Sequence, residues 1–345
     1  MTDIKSLTFD ELNSEINSIG LPKFRTGQIY SWLHEKGVDS FDEMTNLSKD
    51  LREKLKQNYF IPSVKIEDKY VSKIDDTVKY LFKLYDEEYV EAVIMKYKYG
   101  YTICISSQVG CKMGCKFCAS TLAGFKRNLL PAEMESQLHI AQKDLNIRIS
   151  HIVLMGIGEP LDNYDNVIKF IKTVNNDKGL NISMRDITLS TCGIVPKMYD
   201  LANEQMPITL TLSLHAPNDK IRSSMMPVND KWGVDEAIAA CKNYADKTGR
   251  RVSFEYTLIN GVNDTEECAK ELASKLAGML CHVNLIPVND VEERGNVRST
   301  DKSIKNFCEA LYSLGINATI RRTLGSDINA SCGQLRRKKN EGEIQ

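Results

Sequence analysis

The stretch CKMGCKFC, residues 111–118, sets three cysteines at offsets of four and three. Thiolates are strong soft-metal ligands, and three on one short loop can hold a metal centre. A structural zinc site takes four nitrogen or sulfur ligands, usually as two separated pairs, and no fourth ligand is obvious here. A [4Fe-4S] cluster normally takes four cysteines, so Cys111, Cys115 and Cys118 would leave one iron open to an outside ligand. Two more cysteines stand apart: Cys104, seven residues before the loop in TICIS, and Cys332, far along the chain in ASCGQL. The direction of a strand at TICIS need not bring the Cys104 sulfur to the loop.

The elements that must position these residues change character along the chain. TFDELNSEINSIG and SKDLREKLKQNYF have helical apolar spacing and polar capping residues, with a further helix and turn in FRTGQIYSWLHEKGVDSFDEM between them. From about residue 62 to 98 the pattern alternates, as in VKYLFKLYD and YVEAVIMKY, which predicts a small antiparallel sheet. In YVEAVIM, Val90, Ala92 and Ile94 fall on one face and Glu91, Val93 and Met95 on the other. The run MKYKYGY interleaves lysines with aromatics and, on its own, reads as an edge strand rather than an RNA surface.

From residue 101 onward strands and helices alternate. YTICIS, HIVLMG, DITLSTC, ITLTLSLH, RVSFEYTLI and HVNLIPV read as buried strands, separated by amphipathic helices. Repeated β-α units imply a parallel sheet covered by helices. The pattern alone leaves a closed barrel, a partial barrel and a doubly wound sheet equally open. In all three, chemistry gathers at the C-terminal ends of the strands. The cysteine loop, GIGEP, STCG, SLHAPND and IPVND all follow strands, so they converge on one expected site.

Composition narrows the class. The 345 residues are 42% hydrophobic and 26% charged, as in an ordinary soluble protein, and the net charge of −1 announces no nucleic-acid binder. Residues 297–345 nevertheless carry nine Lys/Arg against five Asp/Glu, with QLRRKKN directly after Cys332. No apolar run approaches the ~20 residues that span a bilayer. The polar, acidic start MTDIKSLTFDEL is unlike a signal peptide, so a cytoplasmic, membrane-free protein is expected. Ten cysteines in a reducing compartment point to metal or redox chemistry rather than a disulfide framework.

The Cx3Cx2C loop after the first strand of a β/α repeat resembles the signature of the radical S-adenosylmethionine (SAM) enzymes. ICISSQVGCKMGCKFCAS, LMGIGEPLDN, LSLHAPND, HVNLIPVN, DINASCGQL and the amino-terminal FRTGQIYSWLHEKGVDSFDEMTNLSK are similar to the RlmN-type RNA adenine-C2 methyltransferases. The likeness spans nearly the whole chain. It implies an α/β fold: a radical-SAM partial (β/α)6 barrel over about 97–327, preceded by a helical RNA-binding accessory domain at 1–60 and a linking sheet at 61–96. Residues 328–345 would form a C-terminal segment with a methyl-carrying cysteine and a basic tail.

The resemblance also implies cofactors and roles. One [4Fe-4S] cluster on Cys111, Cys115 and Cys118 chelates SAM, and an electron from the cluster cleaves SAM to a 5′-deoxyadenosyl radical. Adenine C2 is too electron-poor to attack a methyl group directly. In the family a first SAM therefore methylates a cysteine, here Cys332, and the radical from a second SAM removes hydrogen from that methyl group. The carbon radical adds to C2, a glutamate removes the C2 proton, and a second cysteine releases the product by forming a disulfide. Those residues map to Glu91, thirteen before Cys104, and to Cys104 itself. A glutamate beside Val93 and Met95 is expected to be partly withdrawn from water, which suits a base, although a solvent-facing sheet glutamate gives the same pattern. Gly158, Glu159, Ser190, Ser213, Leu214, His215 and Asn289 would complete the SAM pocket, with Gly158 letting the backbone approach. Alone, His215 would read as a hydrogen-bonded strand-end histidine. Cys192, in STCG, departs from the serine many members carry.

The implied substrates are 23S rRNA, at one adenosine of the peptidyl-transferase centre, and tRNA, at the adenosine 3′ to the anticodon. Base flipping is expected, as are a flavodoxin-type reductant and a monomer. The sister family, which methylates C8 and confers antibiotic resistance, carries cysteine at Val109 and alanine at Pro160. A different class, an RNA-binding protein with structural zinc, is the remaining alternative.

Overall fold

The computed structural model describes residues 1–287 and 297–328. Asn289, Cys332 and the basic tail lie outside the described residues. A short parallel pair, β1 (Thr2–Asp3) and β2 (Tyr59–Phe60), draws the two ends of a helical body together. Thr8 caps α1 (Phe9–Ser18) reciprocally: its hydroxyl accepts from the Glu11 amide, and the Glu11 carboxylate accepts from the Thr8 amide at 2.9 Å. With α2 (Phe24–Tyr30) and α3 (Lys49–Asn58), which starts at the capping Ser48, this helix buries Leu12, Ile16, Ile29, Leu33, Leu51 and Leu55 in a core of its own.

Strands β3 (Val64–Val71), β4 (Val78–Leu84) and β5 (Tyr89–Tyr97) run antiparallel to one another, and β5 pairs with β6 (Gly100–Cys104). They continue the main sheet rather than standing apart from it. In MKYKYGY, Met95, Lys96 and Tyr97 pair with β6 alone, since the ladder to β4 ends at Ile94, and the rings of Tyr97 and Tyr99 stack 5.0 Å apart at the turn. A two-stranded ribbon, β7 (Gln108–Gly110) with β8 (Phe125–Asn128), pinches the base of the cysteine loop.

Beyond it come β9 (Ile149–Leu154), β10 (Ile187–Thr191), β11 (Thr209–Ser213), β12 (Val252–Leu258), β13 (Cys281–Pro287) and β14 (Ala318–Ile320), all parallel to β6. The helices α4 (Pro131–Leu145), α5 (Tyr164–Asn175), α6 (Val195–Asn203), α7 (Asp219–Met225), α8 (Val234–Thr248), α9 (Glu266–Leu276) and α10 (Asp301–Ser313) lie between successive strands. The sheet order β14-β13-β12-β11-β10-β9-β6-β5-β4-β3 keeps neighbours in sequence adjacent in space. Six β/α units thus form the partial barrel, with β14 as a last short strand. Leu189, Leu210, Leu212, Phe254, Val283 and Leu285 fill the layer between sheet and helices.

The helical body is bolted to α4. Glu135, buried in α4, receives His34 Nδ1 at 2.8 Å and His139 Nε2 at 3.2 Å, and Lys5 Nζ donates to Ser136 at 3.2 Å. His34 carries no motif in the sequence; its place is this joint.

Candidate active site

Two neighbouring cavities occupy the barrel. The first, of about 150 Å³, is lined by Cys111, Cys115 and Cys118 together with Gly158, Glu159, Ser190, Ser213 and His215. Loop geometry brings these residues together: the cysteine loop follows β7, Gly158 and Glu159 follow β9, Ser190 is near the end of β10, and Ser213 and His215 lie at the end of β11. Among the described residues, no three His, Cys, Asp or Glu side chains converge as they would on a single metal ion. The three thiols line one wall of this cavity. Burial pushes the Cys111 thiol up to about 12 and raises Cys115 further. Both are neutral without metal, and the donor set fits a cluster whose loading releases protons.

The walls are held by specific bonds. The Glu159 carboxylate accepts from the Cys192 amide at 2.7 Å and from the Leu161 amide at 3.0 Å, and burial raises its pKa. Ser190 and Ser213 hydroxyls lie 3.3 Å apart. Leu214 faces the core, not the cavity, and its amide donates to the Glu255 carbonyl at 3.1 Å. His215 sits at φ 58°, its Nδ1 accepts from the Thr257 amide at 2.9 Å, and its ring meets Phe117 edge-on at 4.8 Å. Burial and then the Arg222 charge pull its pKa down to about 3, so the imidazole is neutral. Gly158 has φ 112°, and a Cβ there would stand 2.6 Å from the Gln108 Cβ. The close approach that glycine permits is therefore to Gln108, whose Oε1 accepts from the Glu159 amide at 2.8 Å. Cys192 lines the same cavity and packs in one apolar cluster with Cys115.

The second cavity, of about 250 Å³, is lined by Val93, Met95, Tyr97, Cys104 and, from the far side, Arg321 and Arg322. Cys104 thus stands away from the three-cysteine loop. Met155 and Glu255 line both cavities, so the two are contiguous. Arg321 Nη1 meets the Glu255 carboxylate at 3.1 Å, and burial raises the pKa of Glu255 despite that charge. Neither residue carried a sequence signal: SFEY reads simply as a buried strand.

Glu91 is not a solvent-facing sheet residue. It is 2% exposed and pairs at 2.9 Å with Lys79, which is fully buried. Register explains the pairing. Val93 is opposite both Lys79 and Cys104, and Glu91 lies two residues before Val93 on the same face of β5. The carboxylate and Cys104 therefore share a sheet face, although Glu91 lines neither cavity. Removing one partner of a buried ion pair typically costs about 3–5 kcal/mol, because the other charge stays in low dielectric. Lys79→Met is accordingly expected to lower urea-unfolding stability by about that much, whereas Lys79→Met/Glu91→Leu loses markedly less. Equal losses in the two variants would show that the pair carries no such coupling.

The comparisons agree with this architecture. The family model described as ribosomal RNA large subunit methyltransferase N-terminal domain matches residues 2–61, and that of the radical SAM superfamily matches residues 105–276. A probable dual-specificity RNA methyltransferase RlmN from Lachnoclostridium phytofermentans is 56% identical over 335 residues, covering 97% of this chain and 94% of that protein. One so named from Lachnospira eligens is 53% identical, covering 99% of this chain and 97% of its own. The crystal structure of a radical SAM methyltransferase from Sphaerobacter thermophilus superposes with a TM-score of 0.90 at 39% identity, over 97% of this chain and 99% of that one. With both family models matched in order and relatives above half identity along almost its entire length, the chain belongs to the RlmN family of radical SAM RNA methyltransferases.

Proposed function

We propose that this chain methylates C2 of one adenosine in the peptidyl-transferase centre of 23S rRNA and of the adenosine 3′ to the anticodon in some tRNAs. The observation that supports this most directly is the contiguity of the two cavities across Met155 and Glu255. One would hold cofactor beside Cys111, Cys115 and Cys118; the other would hold the base beside Cys104. The cluster and SAM, when bound, supply one-electron cleavage of a carbon–sulfur bond and so hydrogen-atom abstraction. The buried walls around Glu159, Ser190, Ser213 and His215 orient SAM and keep water from the reacting carbon.

The remaining steps use the chain's own side chains. Cys332 carries the methyl carbon that joins adenine C2. Glu91, held by Lys79 on the face that bears Cys104, accepts the C2 proton, and the one electron left on the adduct passes back to the electron carrier. Cys104 then bonds to the Cys332 sulfur as the carbon–sulfur bond breaks, and the thiol's proton ends on the departing carbon, which frees the methylated base. The disulfide must be reduced before another turnover. The helical body at 1–60 and the basic tail are read as the RNA grip, acting through phosphates and shape. Phe24 stands exposed there, with the Arg25 guanidinium 4.8 Å from its ring centroid, as a stacking surface would. A flavodoxin-type protein is the proposed electron donor.

Val109 and Pro160 favour C2 over C8. The test is direct: reconstituted enzyme, SAM and reductant are incubated with 23S rRNA and tRNA lacking the modification, and the digested nucleosides are analysed by mass spectrometry. 2-Methyladenosine in both RNAs is expected. 8-Methyladenosine alone, or no methylation by an iron-loaded protein, would overturn the reading.

A further inference from the structure

Arg222, in α7, is fully buried, yet among the described residues no carboxylate lies within ion-pair distance of it. Every acceptor it uses is neutral. Nε donates to the Leu214 carbonyl at 3.0 Å, and Nη1 to Asn229 Oδ1 at 3.1 Å. Nη2 donates to the carbonyls of Cys192 at 2.6 Å and Ser213 at 3.1 Å. Asp219 is one step removed: its Oδ1 accepts from Asn229 Nδ2 at 3.1 Å and from the Val234 amide at 2.7 Å. Buried charges are normally paired, because unpaired ones are costly to withdraw from water. A bridge between three carbonyls and an amide could be built from neutral donors. The positive charge therefore needs its own account.

The position of Arg222 supplies one. The loop and α7 are tied together, since the Lys116 amide, next to Cys115, donates to the Met225 carbonyl at 2.9 Å. Cys192 and Ser213, whose carbonyls it holds, line the three-cysteine cavity. A [4Fe-4S] core held by three thiolates is a net anion, and gaining an electron makes it more so. Net charge, hydrogen bonding and burial set the potential of such centres.

We propose that Arg222 is the built-in counter-charge of the loaded three-cysteine site, a positioning residue that favours the reduced over the oxidised state. The proposal rests on reading Cys111, Cys115 and Cys118 as cluster ligands, and it concerns the electrostatics of that site rather than its identity. Arg222 touches no reacting atom; it acts through the walls and the field of the cavity.

The test compares anaerobically reconstituted full-length protein, wild type and variants, by iron content and by redox titration followed with electron paramagnetic resonance. Arg222→Lys keeps the charge and is expected to load iron and hold its midpoint near wild type. Arg222→Met removes the charge and should lower the reduced-to-oxidised ratio at fixed potential by at least about tenfold, about 59 mV for one electron. An unchanged midpoint in an iron-loaded Arg222→Met overturns the proposal. Should that variant fail to load, the swap Asp219→Asn/Asn229→Asp decides. It retains an oxygen for the Val234 amide and one for Arg222, but it sets a carboxylate against the guanidinium. A lowered midpoint in the swap supports the proposal, and an unchanged one overturns it. If both variants fail to load while Arg222→Lys loads, the charge serves loading rather than the choice of redox state, and the proposal falls. If Arg222→Lys fails as well, Arg222 is only a bridge between carbonyls, and the proposal falls. A wild-type protein that binds no iron would instead sink the cluster reading.

Discussion

Alanine at any one of Cys111, Cys115 or Cys118 is expected to reduce bound iron from about four per chain to background and to abolish SAM cleavage. On the proposed reading, three ligands are the fewest that leave one iron open for SAM while the protein still holds the other three. None is spare. Burial already keeps the metal-free Cys111 and Cys115 thiols protonated, so loading must release protons. Losing one thiolate removes a bond that must offset this cost. Iron loading should likewise weaken as pH falls, since protons compete for the same sulfurs. Cys192 is the necessary control because it lines the same cavity. Cys192→Ser is expected to keep its iron and its near-ultraviolet charge-transfer absorbance. If an alanine variant at 111, 115 or 118 kept both, or if Cys192→Ser lost both, the ligand set would be wrong.

The parts of this site that were legible in the sequence share a property: each lies in a local pattern whose period or spacing survives folding. Alternation in YVEAVIM correctly put Val90, Ala92 and Ile94 on one face and Glu91, Val93 and Met95 on the other. Placement after strands brought GIGEP, STCG and SLHAPND to the cysteine loop. What escaped is set by pairing across strands or between distant loops. Lys79 in VKYLFKL looks like any outward lysine of an alternating strand, and only the register of β4 on β5 sets it against Glu91. Arg222 in DKIRSSM looks like a solvated helix charge, and only the approach of α7 to the ends of β10 and β11 buries it. Gly158 was expected to make room for a ligand, but its room is taken by Gln108, a neighbour about fifty residues away in sequence that no local window connects. MKYKYGY is expected as an edge strand, and its Met95–Tyr97 portion is paired on one side only, with β6, because the ladder to β4 ends at Ile94.

Cys104→Ala is expected to accumulate a covalent protein–RNA adduct, whereas Cys332→Ala forms none. The order of bond-making decides this. In the proposed scheme Cys332 supplies the sulfur that bears the transferred carbon, so without it no link between protein and base can form. In the same scheme Cys104 acts only after the link exists, when its sulfur bonds to that of Cys332 and the carbon departs with adenine. Its position fits a late role: it lines the larger cavity, away from the three-cysteine wall. Removing it should therefore leave the early steps intact and halt the reaction with one carbon bridging Cys332 and C2. Glu91→Gln should stall near the same stage, since the C2 proton must leave before the carbon–sulfur bond can break. Unlike Lys79→Met, it keeps an uncharged hydrogen-bonding side chain beside the ammonium. The double variant Cys104→Ala/Cys332→Ala must show no adduct, because the first lesion precedes the second. Nuclease digestion followed by peptide mass spectrometry would locate the bridge. Equal adduct yields from the two single variants, or a bridge on Cys192, would mean that the carrier and the releasing thiol have been assigned to the wrong cysteines.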